Sequence, residues 1–263
     1  MCYWEFKKHD ELAVNDIKLR REKSSVYARY QFEFAPIRVT RMASEVLGPM
    51  PDEKSGVHNK WHAHLQVLGK KSLIQHFKDN RFNATYECAA AVLHHHSDII
   101  SLMDKLESLN LKIRSVKEDL EDSRVHFMVH AFALAYVKLT GPFWDLCVSK
   151  SVQYLDLFKY VQLMADALKH WVDDPMKMLT ETEPVFPDFS HDTTGPFWNA
   201  AVAPPADEGF FRRTLQSILK GMQNCVNLQL SSFLPGGKYG CQQEEKEAQR
   251  TNGSGLNNLT SER

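Results

Sequence analysis

The chain has 263 residues, 43% of them hydrophobic and 25% charged, with a formal net charge of −1. That is enough apolar material for a folded core and too much for a chain disordered throughout. The near-neutral balance argues against nucleic-acid binding by the whole surface, which takes a clear basic excess to displace counterions from phosphate.

Residues 1–24 mix charges with little periodicity, although Leu12 to Glu22 is compatible with a short polar helix. Met1 to Asp10 reaches Lys7 and Lys8 before any apolar run, which is not the pattern of a signal peptide. Tyr30, Phe32 and Phe34 alternate with Gln31 and Glu33, predicting one half-buried strand that Pro36 limits. Gly48-Pro49-Met50-Pro51 and the polar residues to Gly56 read as a loop. The loop is the expected boundary between an N-terminal appendage, residues 1–56, and a helical domain, residues 57–240.

Within that domain Trp61, Leu65, Leu68, Leu73, Ile74 and Phe77 predict one helix or two, with Gly69 as the interruption. Asn83 is placed to cap a following helix whose stripe is Ala89, Val92, His96, Ile99, Met103 and Leu106. Lys112 to Asp122 reads as a short charged helix or linker. Val125 to Val137 is apolar almost all round, which marks a central helix. It is also too short to span a bilayer, which takes about 20 apolar residues.

A break is expected at Leu139 to Trp144, with Pro142 in the first turn of the next helix. Tyr154, Leu157, Phe158, Val161, Met164, Ala165, Leu168, Trp171 and Val172 then form the stripe of an amphipathic helix ended by Asp173-Asp174-Pro175. A proline-rich segment comes after it, in which Phe186, Phe189, Phe197 and Trp198 are the expected anchors. The run Thr-Gly-Pro-Phe-Trp occurs at Thr140–Trp144 and again at Thr194–Trp198 with unmatched flanks, a reused turn rather than a duplicated domain. Asp207 and Glu208 open a last helix carrying Phe211, Leu215, Ile218, Met222, Val226, Leu230 and Phe233, stopped by Pro235-Gly236-Gly237. Residues 241–263 are polar and small, with too little apolar surface to offset ordering entropy, so a disordered tail is expected. The fold class is therefore all-α, an irregular multi-helix bundle with at most one or two short strands near the N-terminus.

Few residues point to chemistry. His126 and His130 have the i, i+4 spacing at which two imidazoles can share zinc, but Phe127 stands where a metalloprotease helix needs Glu. His94, His95 and His96 are consecutive, so on a helix they point about 100° apart and cannot converge on one ion. On the helix after Asn83, His96 faces the core and His94 and His95 face solvent. His58, His62 and His64 have no Cys-x-x-Cys to complete a site. All three clusters read as structural histidines. The five cysteines are odd in number and far apart, as free thiols in a reducing compartment are. No nucleophile elbow is present, Gly236-Gly237-Lys238 lacks the spacing of a phosphate loop, and Asp173-Asp174 reads as a helix end. No catalytic, cofactor-binding or metal-binding residue is assigned, and no cofactor is expected.

Charge is unevenly spread. Lys54, Lys60, Lys70, Lys71, Lys78 and Arg81 are opposed only by Asp79, and the segment from Asp156 to Glu208 is acid-rich. Such patches usually satisfy one another or remain solvated, but the basic one is the place where nucleic acid would bind.

Three blocks in a fixed order, Asn80-Arg81-Phe82-Asn83, Leu139-Thr140-Gly141-Pro142-Phe143-Trp144 and Phe233-Leu234-Pro235-Gly236-Gly237-Lys238-Tyr239, with Phe186-Pro187-Asp188-Phe189 between the last two, resemble a family of largely uncharacterised animal proteins of transposon origin. The resemblance covers roughly Lys60 to Gly240. It implies a nuclear protein of mobile-element ancestry, the helical C-terminal region of a transposase-related chain, and it carries over no catalytic residue. A ribonuclease H-like core would need a multi-stranded sheet presenting carboxylates to two metal ions, and one strand candidate cannot build it. The first expectation is thus an intracellular, non-enzymatic helical protein acting on protein partners. A second is weak nucleic-acid binding through 54–81, and a third is a zinc-dependent hydrolase built on His126 and His130.

Overall fold

In the computed structural model of the chain, the residues described are 35–50, 57–78, 83–149, 152–187, 189 and 195–241. The architecture is all-α, with no strand among the described residues. The strand expected at Tyr30–Phe34 and the tail from Gln242 lie outside them. No helix among the described residues is long and apolar enough to cross a membrane. The chain divides into two compact units.

The described part of the first unit comprises 35–50, 57–78, 83–136 and 195–214. Helix α1, Ala35–Leu47, departs from the expected appendage: it buries Val39, Met42, Ala43, Val46 and Leu47 at helical spacing. Pro36 falls in its first turn, where a missing N–H costs nothing. α2 is His58–Val67, and Gly69, at φ +67°, ends it in the left-handed conformation that glycine adopts most readily. Residues 70–78 are non-helical, so Leu73, Ile74 and Phe77 belong to an irregular strap rather than to a second helix.

The single helix expected after Asn83 is two, α3 (Ala84–His94) and α4 (His96–Asp104), interrupted at His95. Asn83 sits at the N-cap position without a side-chain cap bond. α5, Leu111–Glu121, is capped by Asn110, whose Oδ1 accepts from the Ile113 N–H at 2.9 Å. Asp122 caps α6, Ser123–Ala135, accepting from the Arg124 and Val125 N–H groups at 2.9 and 3.4 Å. α6 is buried on every side, as its apolar sequence requires, and packs along α3 with α1, α5 and α10 (Pro196–Ala201) against the pair. The buried Arg38 to Asp119 ion pair, 3.5 Å, joins α1 to α5.

At Tyr136–Thr140 the helix widens into a π turn and continues as α7, Gly141–Val148, without the expected break. Pro142 supplies a reason: in a regular α-helix its ring would strike the carbonyl of Lys138, and the wider turn makes room. The second copy of Thr-Gly-Pro-Phe-Trp instead opens α10 from an extended Gly195, ψ 160°. The same five residues thus share only the proline at a helix start.

The described part of the second unit comprises 137–149, 152–187, 189 and 215–241. α8, Leu157–Asp173, buries Leu157, Val161, Met164, Leu168 and Trp171 and leaves Phe158 half-buried under Lys159. α9 is the single turn Lys177–Thr180. Phe186 is the anchor of the proline-rich segment, fully buried with Phe143 and Tyr160 at ring-centre distances of 6.0 and 6.2 Å. Helix α11, Glu208–Gln229, buries Phe211 in the first unit and Leu215, Ile218, Met222 and Val226 of the expected stripe in the second. After it, Tyr154, Phe233 and Tyr239 cluster with ring centres 5.2 to 5.8 Å apart, Tyr154 edge-on to the other two. A Cβ on Gly237 would stand 2.3 Å from the Ser231 carbonyl, so only glycine lets this turn close.

Phe186→Ala should lower the stability of this unit by about 3–5 kcal/mol, the usual cost of deleting a fully buried phenyl ring. Phe158→Ala should cost less than half as much. Denaturant titration followed by circular dichroism checks the order, and a larger loss at Phe158 would contradict the packing.

Candidate functional site

A set of hydrogen-bonded polar side chains in the first unit gathers where the strap 70–78 meets α2 and α4. His95, at φ −96° and ψ 11°, interrupts the helix and is fully buried, not solvated as the stripe predicts, because the interruption shifts the register of everything after it. Its Nε2 accepts the Leu73 N–H at 3.2 Å, and its Nδ1–H donates to Asp98 Oδ2 at 3.2 Å. Lys70 Nζ donates to both Asp98 oxygens at 2.8 and 2.9 Å. The Trp61 indole N–H donates to Ser72 Oγ at 2.8 Å, with the ring edge-on to His95 at 5.2 Å. Burial holds the His95 pKa below its ordinary value despite the Asp98 bond, so the ring is neutral. Burial alone would raise the Asp98 pKa, but the bonds from Lys70 and His95 outweigh it and keep the carboxyl below its usual range.

Asp, His and Ser stand here in suggestive company without making a nucleophile. The His95 nitrogen that would act as base is bound to a main-chain amide, and Ser72 Oγ receives the Trp61 and Ile74 N–H groups. The network fixes a loop. Lys70 was visible in the sequence only as surface charge, and Asp98, Ser72 and Trp61 gave no signal beyond hydropathy.

The other histidines divide among separate partners. His130 donates Nε2–H to the Ala201 carbonyl at 2.8 Å, with its ring 4.7 Å from Phe211. The ring centre of His126 lies 4.5 Å from that of His96. The i, i+4 pair is therefore not brought together on one ion. His96, half-buried rather than on the core stripe, donates Nε2–H to the Leu120 carbonyl at 2.9 Å. His58 donates Nδ1–H to the Leu47 carbonyl at 3.0 Å and touches His62 at 4.3 Å, while His64 is buried beside Trp61. Among the described residues no group of three or more His, Cys, Asp or Glu side chains could hold a metal ion.

Thiol chemistry has no activated group at Cys88 or Cys147, which burial pushes up to about 12. In the second unit, Glu181 receives the His170 Nε2–H and the Trp171 indole N–H, each at 2.8 Å, and its carbonyl accepts Lys138 Nζ. Burial lowers the Lys138 pKa, an effect that Glu181 partly opposes. This cluster, unmarked in the sequence, clips α9 to α8 and to the π turn. Of the basic residues, Lys60, Lys71 and Lys78 are exposed and Lys70 is committed to Asp98, while Lys54 and Arg81 lie outside the described residues.

Comparison of the chain with protein-family models, with curated proteins and with solved structures finds no match.

Desolvation, with His96 and His130 adding to it, lowers the His126 pKa from 6.5 to about 4, and His95 and His130 are lowered as well. Between those values the unfolded chain binds more protons than the folded one, so stability is complete above about pH 6.5 and falls as the pH drops towards 4. Thermal melts across that window should show the decline, and His126→Gln should flatten it. A decline of equal slope in the variant would contradict the half-buried, neutral imidazole.

Proposed function

We propose that the chain is a non-enzymatic helical interaction protein that engages protein partners through its helical surfaces. The observation that carries this reading is how the reactive side chains are used: His95, His96 and His130 each hold a main-chain group, and Asp98 and Glu181 are taken up by neighbouring donors. Against that background Val67 and Leu68 at the end of α2, 86% and 44% exposed, and Leu228 on α11, 77% exposed, present apolar surface where nothing in the fold requires it. The block resemblance adds a nuclear setting and descent from a transposase-related chain to the same proposal. Affinity capture from nuclear extract with the full chain, Val67→Glu/Leu68→Glu and Leu228→Glu tests it. A partner should be lost from at least one variant whose circular dichroism is unchanged. Recovery of the same proteins by all three contradicts it.

A second reading, weak nucleic-acid binding, is favoured by one feature of the 57–78 segment: it contains no acidic residue and exposes Lys60, Lys71 and Lys78. Each lysine contacting a phosphate contributes about 0.9 to the slope of log K against log salt on duplex DNA. Lys60→Glu/Lys71→Glu should therefore lower both the affinity and that slope. Absence of binding by the parent chain at low salt dismisses the reading.

A further inference from the structure

Residues 70–78 form neither helix, turn nor bend, yet they lie against α1, α2 and α4. Among the described residues no main-chain to main-chain hydrogen bond joins 71–78 to another element. The surrounding side chains hold the strap instead. Lys70 Nζ reaches Asp98, Ser72 Oγ accepts the Trp61 indole N–H, the Leu73 N–H meets His95, and the Gln75 carbonyl accepts the Ser44 hydroxyl. Of residues 70–78 only Ile74 is fully buried.

The side chains that engage the helices are those of 70, 72 and 74, while Lys71 and Gln75 are exposed. That is the period-two pattern of a linear peptide. Main-chain bonds to such a peptide supply affinity, and sites for alternate side chains supply selectivity. The strap is seated as a ligand would be. Its single buried apolar side chain and its side-chain bonding place it among the segments that open locally before the fold does.

We propose that the groove framed by Ser44, Trp61, His95 and Asp98 is a peptide-binding site, and that the strap is its resident, displaceable occupant. The partner it fits is a linear segment of another protein with the strap's own order: a cation for Asp98, a hydroxyl two residues on for the Trp61 N–H, and a branched apolar residue two further on for the place of Ile74. Between the last two, a main-chain N–H meets His95 Nε2, an acceptor because the ring gives its Nδ1–H to Asp98. Being tethered, the strap competes at an effective concentration of about 1 mM. A partner therefore binds weakly until the strap is displaced. This inference rests on the proposed interaction role and names a partner for it at residues other than Val67, Leu68 and Leu228.

The test uses the full chain and a fluorescein-labelled synthetic peptide of residues 70–78, read by fluorescence anisotropy. Lys70→Ala/Ile74→Ala weakens the strap and leaves the groove intact. Peptide binding should then tighten at least tenfold over the parent, because the competent fraction of the protein rises. The same peptide carrying Lys70→Glu and Ile74→Ser should bind that variant at least tenfold more weakly, and adding Asp98→Asn to the protein should do the same to the original peptide. In the parent, the Leu73 amide should exchange through local opening, while that of Val129 waits for global unfolding. Where circular dichroism shows the double variant unfolded, Lys70→Ala alone carries the comparison, with a smaller gain in the same direction. Equal binding by parent and strap variant, equal binding of the two peptides, or a Leu73 amide as slow as Val129 overturns the proposal. Any of these with partners still captured from extract leaves the interaction role standing, whereas capture failing while the peptide binds faults the exposed apolar residues and not the groove.

Discussion

The contact between α3 and α6 is the constraint from which the first unit is built. Both helices carry alanines that are almost completely buried, Ala89, Ala90 and Ala91 on one and Ala131, Ala133 and Ala135 on the other. Small side chains let two helices approach closely and add no rotamer entropy to the cost of burial. Tyr86 and Phe132 meet edge to face across the pair at 5.3 Å and 89°, a favoured aromatic geometry. With α6 apolar on every side, other elements must cover it, and α1, α5 and α10 do so. An α6 left uncovered would place a large apolar surface in water, so the peripheral helices are required by it.

Once that pair is set, the polar groups near it must be satisfied locally, since a buried donor or acceptor without a partner costs about 1–3 kcal/mol. His130 meets this demand by tying α6 to the end of α10, and His96 by tying α4 to the end of α5. His95 and Asp98 do the same for the strap after α2. Imidazole suits these places because, neutral, it offers one donor and one acceptor on a compact ring. Main-chain bonding thereby accounts for His58, His95, His96 and His130, and the interaction role proposed for the chain rests on how these groups are used.

Much of this architecture was legible in the sequence wherever hydropathy had a clear period. The all-round apolar run of α6, the α8 stripe with its Asp-Asp-Pro end, and the α11 stripe from Phe211 to Val226 are each found where they were expected. α1 was hidden because an alternating aromatic run precedes it and Pro36 reads as a terminator, although Val39, Met42, Ala43 and Val46 already carried the helical spacing. The interruption at His95 has no glycine or proline to announce it. It is accompanied by a tertiary bond from the Leu73 N–H, 22 positions earlier, which no local pattern encodes. The histidine partnerships were out of reach for a related reason: the i, i+4 rule links His126 to His130, whereas packing links His126 to His96, thirty positions earlier in the chain.

Native-state hydrogen exchange read residue by residue tests the central claim, that the α3–α6 contact organises its unit. Amides of Ala89 to Val92 and Val129 to Leu134 should be the slowest of that unit to exchange, opening only with its global unfolding. Amides of α6 exchanging through local opening, while those of α2 or α4 remain protected, would contradict the account.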